Sequence, residues 1–134
     1  MKPGFVLDAS ALLAWLFGEP GRQHITKALT KGCLIASVNW CEVLQKANGR
    51  GIAQERLYGD LEDKQILDGA LTITSFDEEL AKRAATLHPQ TQSLGLSLGD
   101  RACLALGMSK NLLVITANKV WAELDLPVEV QLIR

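Results

Sequence analysis

Histidine is scarce in this chain. There are two, His24 and His88, and neither has a second ligand at a useful spacing. With no nucleophile elbow either, a Ser-His-Asp hydrolase has no support. Both histidines read as surface residues. Cysteine is as sparse: Cys33, Cys41 and Cys103 are odd in number and form no CxxC pair. That argues against a disulfide framework and a thiolate zinc site, and fits reduced thiols in a cytoplasmic protein. No apolar run is long enough to span a bilayer. The opening MKPGFVLDAS passes straight into a strand-like run, without the charged head, long apolar stretch and cleavage site of a secretory signal. An excess of either charge is missing too, since 14 Lys and Arg face 15 Asp and Glu. Proteins that grip long duplex DNA by counterion release are usually basic overall. A local basic rim is enough for RNA, and Arg22, Lys46, Arg50, Arg101, Lys119 and Arg134 are the candidates for one.

What is present is the composition of a packed body, 48% apolar and 22% charged over 134 residues. One domain, 1–134, with one core is expected. Strand-like runs fall at 5–7, 34–36, 71–74, 112–116 and 128–133. Helical patterns fall between them at 10–17, 22–30, 40–47, 53–66, 77–87, 98–108 and 119–124. Gly18-Glu19-Pro20-Gly21 breaks the first helix, and Asn48-Gly49 offers a stop for the third. Ser75, with Glu78 three residues on, offers a cap for the helix at 77–87. From Ala102 to Met108 the helix at 98–108 has no charged or polar side chain on any side, so it should be buried, with Asp100 and Arg101 at its mouth. Alternating strands and helices predict an α/β domain with a mostly parallel sheet.

Four segments set an acid or amide where a hydrophobic run meets a helix start: FVLDAS at 5–10, LIASVNWCE at 34–42, GLSLGDRACLAL at 95–106 and LLVITAN at 112–118. The residues concerned are Asp8, Glu42, Asp100 and Asn118. Each has a plain reading as a helix cap. Asp8 would cap the first helix and Asn118 the last short one. Asn39-Trp40-Cys41-Glu42 has the outline of a capping box, and so does Ser97-Leu98-Gly99-Asp100. Taken together they suggest more, because such junctions gather at the carboxyl edge of an open parallel sheet. Three carboxylates meeting there call for a hard divalent cation bound through oxygen, and for cation-assisted attack on a phosphodiester. Asp77 and Glu78 also follow a strand-like run, so position alone does not single out the set.

Other acid-based folds fit poorly. A haloacid-dehalogenase-type phosphatase needs D-x-D after the first strand, where this chain has Asp8-Ala9-Ser10. A phosphoreceiver domain needs paired acids there and a lysine after the last strand; Val128-Glu129-Val130-Gln131-Leu132 has none. GxGxxG and GxxxxGK[ST] are both absent, so nucleotide cradling is unsupported.

The chain resembles PIN domains, and among them VapC-type toxins of bacterial toxin–antitoxin pairs. The stretches that carry the resemblance are VLDASALLAWLFGEPG at 6–21, SVNWCEVLQKA at 37–47, GLSLGDRACLALG at 95–107 and LLVITANKVWAEL at 112–124. The resemblance implies a three-layer α/β/α sandwich with a central parallel sheet. It also implies a Mg²⁺- or Mn²⁺-dependent endoribonuclease, usually a homodimer, held by a cognate antitoxin. By position it assigns Asp8, Glu42 and Asp100 as the three core acids, with Ser10 and Thr116 as hydroxyl residues supporting them. Arg101 or Lys119 would then help bind phosphate. The family pattern T-x-D reads Thr116-Ala117-Asn118 here. An amide brings no charge, which leaves open a one-metal enzyme, a weaker enzyme, or an inactive chain that keeps the fold and binds antitoxin or RNA. A DNA-directed nuclease of the same fold is a further alternative. Trp15, Leu16, Phe17, Trp40 and Trp121 read as core, or as lining for a partner groove.

Overall fold

The computed structural model describes residues 2–134. Five short strands, β1 (Phe5–Leu7), β2 (Cys33–Ala36), β3 (Leu71–Thr74), β4 (Leu113–Thr116) and β5 (Val130–Leu132), form one sheet in the order β3-β2-β1-β4-β5. Every pairing is parallel. β1 is thus the central strand, with Val6 in register with Leu34 on one side and Val114 on the other.

Side-chain alternation along these strands explains the three layers. Leu7, Ile35, Leu71 and Ile115 face one core, under α1 (Ala9–Phe17), α2 (Arg22–Thr30), α3 (Ser37–Gly49) and α4 (Gln54–Asp63). Val6, Leu34 and Val114 face the other, under α5 (Glu78–Thr91) and α6 (Leu98–Lys110). Fully burying each such side chain contributes about 1.5–3 kcal/mol. Both faces being covered is why the strands read as continuous apolar runs.

The helix foreseen as buried all round is α6, where Ala102 through Leu106 are fully buried. Gly107 is forced: a Cβ there would collide with the Val114 side chain beneath it. Short 3₁₀ turns follow α5 at Gln92–Leu94 and β4 at Lys119–Glu123. Among the described residues, no helix is long and apolar enough to cross a membrane.

Several local expectations need correcting. α5 is capped by Asp77, whose side chain accepts from the Leu80 amide, in place of Ser75. It also runs on past residue 87 through Pro89 to Thr91. α3 starts at Ser37 directly off β2, with no side-chain cap, so Asn39 lies inside its first turn. It continues through Asn48-Gly49 to a cap at Arg50. α4 stops at Asp63, short of residue 66, where the chain turns through Gln65 at φ 57.

Candidate active site

The strand order creates a switch point. From β1 the chain winds outward to β2 and β3, then returns to place β4 on the other side of β1. A crevice is expected at the carboxyl ends of β1 and β4. Asp8 is the first residue after β1, and Asn118 the second after β4. Glu42 lies on α3, which leaves the end of β2, and Asp100 lies in the first turn of α6. A cavity of about 220 Å³ results, lined by Asp8, Ala9, Ser10, Leu13, Asn39, Glu42, Lys46, Asp100 and Asn118. Asp8, Glu42, Asp100 and Asn118, drawn from four separate segments, therefore share one wall.

Capping and clustering coexist. Asp8 caps α1, its Oδ1 accepting from the Ala11 amide (2.9 Å) and the Ser10 hydroxyl (2.7 Å). Its Oδ2 accepts from the Thr116 hydroxyl (2.5 Å). Ser10 and Thr116 are held in turn, because the Ala117 amide donates to Ser10 Oγ and the Asn118 amide to Thr116 Oγ1. Asp100 completes a capping box with Ser97. Asn118 Oδ1 accepts from the Val120 amide. The capping box foreseen at Asn39–Glu42 is absent. Because α3 begins earlier, Glu42 Oε1 instead accepts from the side-chain amide of Asn39 (3.0 Å).

Burial sets the electrostatics. Asp8 is 5% exposed, and removal from water pushes its carboxyl from 3.8 up to about 6. The three hydrogen bonds oppose that rise, and the charge of Asp100 adds to it. Glu42 is also raised, first by desolvation, with Asn39 and Lys46 pulling it down and Asp100 pushing it up. Protein dipoles alone do not compensate these acids. Among the described residues, no three His, Cys, Asp or Glu side chains are gathered tightly enough to coordinate one ion directly. The donor set therefore fits a hydrated hard dication held partly through water, as Mg²⁺ commonly is.

Two features of the wall were not legible beforehand. Asn39 is 1% exposed, and its Nδ2 also donates to the Gly99 carbonyl (2.9 Å), tying α3 to the start of α6. Its Oδ1 is buried without a partner. Gly99 is the second, since a Cβ there would stand 2.7–2.9 Å from the Glu42 carboxyl group. The sequence signal for Asn39 was its position three residues before Glu42, on the same helix face.

Of the six cations considered for a rim, Lys46 alone lines this cavity. Arg50 stacks 4.0 Å over the Phe17 ring and pairs with Glu19, and Arg134 pairs with Glu19 as well. Arg22 lines a separate groove with Trp15, Leu16 and Phe17. Arg101 is half-buried outside the cavity wall, its Nε without a partner. Lys119 is exposed and does not line the cavity either. Trp40 and Trp121 are core, and Trp40 Nε1 donates to the Tyr58 hydroxyl at 2.8 Å. His24 and His88 are exposed; Cys33 and Cys103 are buried free thiols and Cys41 an exposed one.

A family model described as PIN domain matches residues 5–126. No curated protein sequence matches the chain. Among solved structures, one similar chain comes from DNA-bound VapBC of Salmonella typhimurium, at 17% identity and a TM-score of 0.74, over 99% of this chain and 100% of that one. Another belongs to a toxin-antitoxin complex from Klebsiella pneumoniae, at 22% identity and 0.69, over 94% and 99%. A third is a Sarcin-Ricin loop cleaving VapC toxin of Mycobacterium tuberculosis, at 13% identity and 0.68, over 94% and 99%.

Proposed function

The chain belongs to the PIN domain family, and from that premise we propose that it is a divalent-cation-dependent endoribonuclease, the toxin of a toxin–antitoxin pair. The observation that carries the reading is the convergence of Asp8, Glu42 and Asp100 on one cavity at the sheet's switch point. The similar toxin–antitoxin structures support it.

In this scheme Asp8, Glu42 and Asp100 hold Mg²⁺ or Mn²⁺, partly through water. When bound, the cation supplies neutralisation of the charge gathering on the phosphate and activation of the attacking water. The protein supplies orientation. Ser10 and Thr116 fix both oxygens of Asp8. Glu42, half-buried with a raised pKa, is suited to take the proton of the attacking water. Lys46 meets the incoming phosphate as a point charge. Arg101 or Lys119 would help bind phosphate outside the cavity. A cognate antitoxin and a second copy of the chain are the protein partners on this reading.

Asn118 favours a second reading, a PIN-fold module that binds antitoxin or RNA without cutting. The two separate on end-labelled structured RNA incubated with the chain and Mn²⁺. Cleavage is expected, stopped by EDTA and by Asp100→Asn, with a matched DNA strand left intact. Cleavage that persists in EDTA removes the proposed mechanism, and no cleavage of any of several RNAs favours the module.

A further inference from the structure

The buried amide of Asn39 has more polar capacity than the fold uses. Nδ2 faces two groups that only accept, the Glu42 carboxyl Oε1 at 3.0 Å and the Gly99 carbonyl at 2.9 Å. Swapping the amide's oxygen and nitrogen would set an oxygen against two oxygens, so the neighbours dictate the orientation. Oδ1 is thereby left buried with no donor. Such an atom costs about 1–3 kcal/mol unless something satisfies it. Buried polar atoms are almost always paired, so the fold bears that cost where it keeps both Nδ2 bonds. The cavity it helps line also holds Asp8, Glu42 and Asp100.

We infer that Asn39 is a positioning residue for the cation site: its Nδ2 holds Glu42 and the first turn of α6, which carries Asp100, together. This rests on the cation reading above. Groups that orient the side chains around an ion tune its affinity without touching it. Asn39 suits the task for three reasons. It is rigid within a helix, it is neutral, and Gly99 beside it has no Cβ to displace Glu42.

The test is Mn²⁺ binding to the full chain by titration calorimetry, with metal-free melting curves as the control on folding. Asn39→Leu fills the same volume but has neither donor nor acceptor. It should weaken Mn²⁺ binding about 10- to 100-fold, the usual effect of losing an outer-shell partner. If leucine prevents folding, Asn39→Ala is read the same way. Wild-type affinity in the leucine or alanine variant overturns the inference. Asp100→Asn separates the two levels of failure. If it abolishes Mn²⁺ binding while the Asn39 variants do not disturb it, only the role of Asn39 falls. If the unaltered chain binds no Mn²⁺, the cation site falls with it.

Discussion

Asp8 and Asp77 are the same local device in two places. Each is the N-cap of a helix following a parallel strand, each has φ −87 with extended ψ, and each accepts from the backbone amide three residues on at 2.9 Å. Yet Asp8 is buried, with its carboxyl raised to about 6, whereas Asp77 is exposed. The difference is the strand each follows. β3 is an edge strand, so the end of its helix cap faces water. β1 is central, so Thr116 from the end of β4 closes over Asp8, and Asp100 and Glu42 face it. The cap is common property; the topology around it makes a candidate site.

The comparison is sharpened most by activity. Asp8→Asn should lower metal-dependent RNA cleavage by at least about a hundredfold, the scale of losing one preorganised electrostatic group. Asp77→Asn, a substitution between two good caps, should leave the rate within about twofold. Equal losses would dissolve the distinction. Stability comes next, with opposite signs. The Asp8 pKa is higher in the folded state (about 6) than the ordinary 3.8, so the folded chain holds the extra proton. That contribution is complete below 3.8 and is lost as pH rises through about 6. Metal-free Asp8→Asn should therefore be more stable than the parent at neutral pH, by up to about 3 kcal/mol, and should lose part of the pH slope. Asp77→Ala should instead cost about 1 kcal/mol at neutral pH, as a lost cap does. Urea melts in EDTA across pH measure both. Asn118→Asp adds a carboxylate to the β1–β4 junction and none to β3. Mn²⁺ affinity should rise about tenfold, or about 1.4 kcal/mol, with a lower metal-free melting temperature. An unchanged affinity would place residue 118 outside the ion's reach.

Much of this was legible in the chain. Two-sided burial wrote the strands as apolar runs, and α6 announced its position through about two turns without a polar side chain. Strand order was harder, because nothing local in LLVITAN says which strand it pairs with. That order is what separates Asp8 from Asp77. Asn39 was misread for a physical reason. Residues three apart share a helix face whether they begin the helix or lie within it, so N-x-x-E fits a cap and a side-chain clamp equally. The true start at Ser37 carries no capping side chain to correct the reading. Likewise Ser75 and Asp77 are both good caps, and only the path of the chain after β3 chooses between them.

The hydrogen bond from Thr116 to Asp8 joins residues 108 apart in the chain. During synthesis, Asp8 emerges long before its lid and waits until β4 leaves the ribosome. Central parallel pairing between distant strands is slow to form. A nascent or truncated chain ending before residue 116 lacks the strand that buries Asp8, so the acidic pocket stays unfinished until β4 is in place.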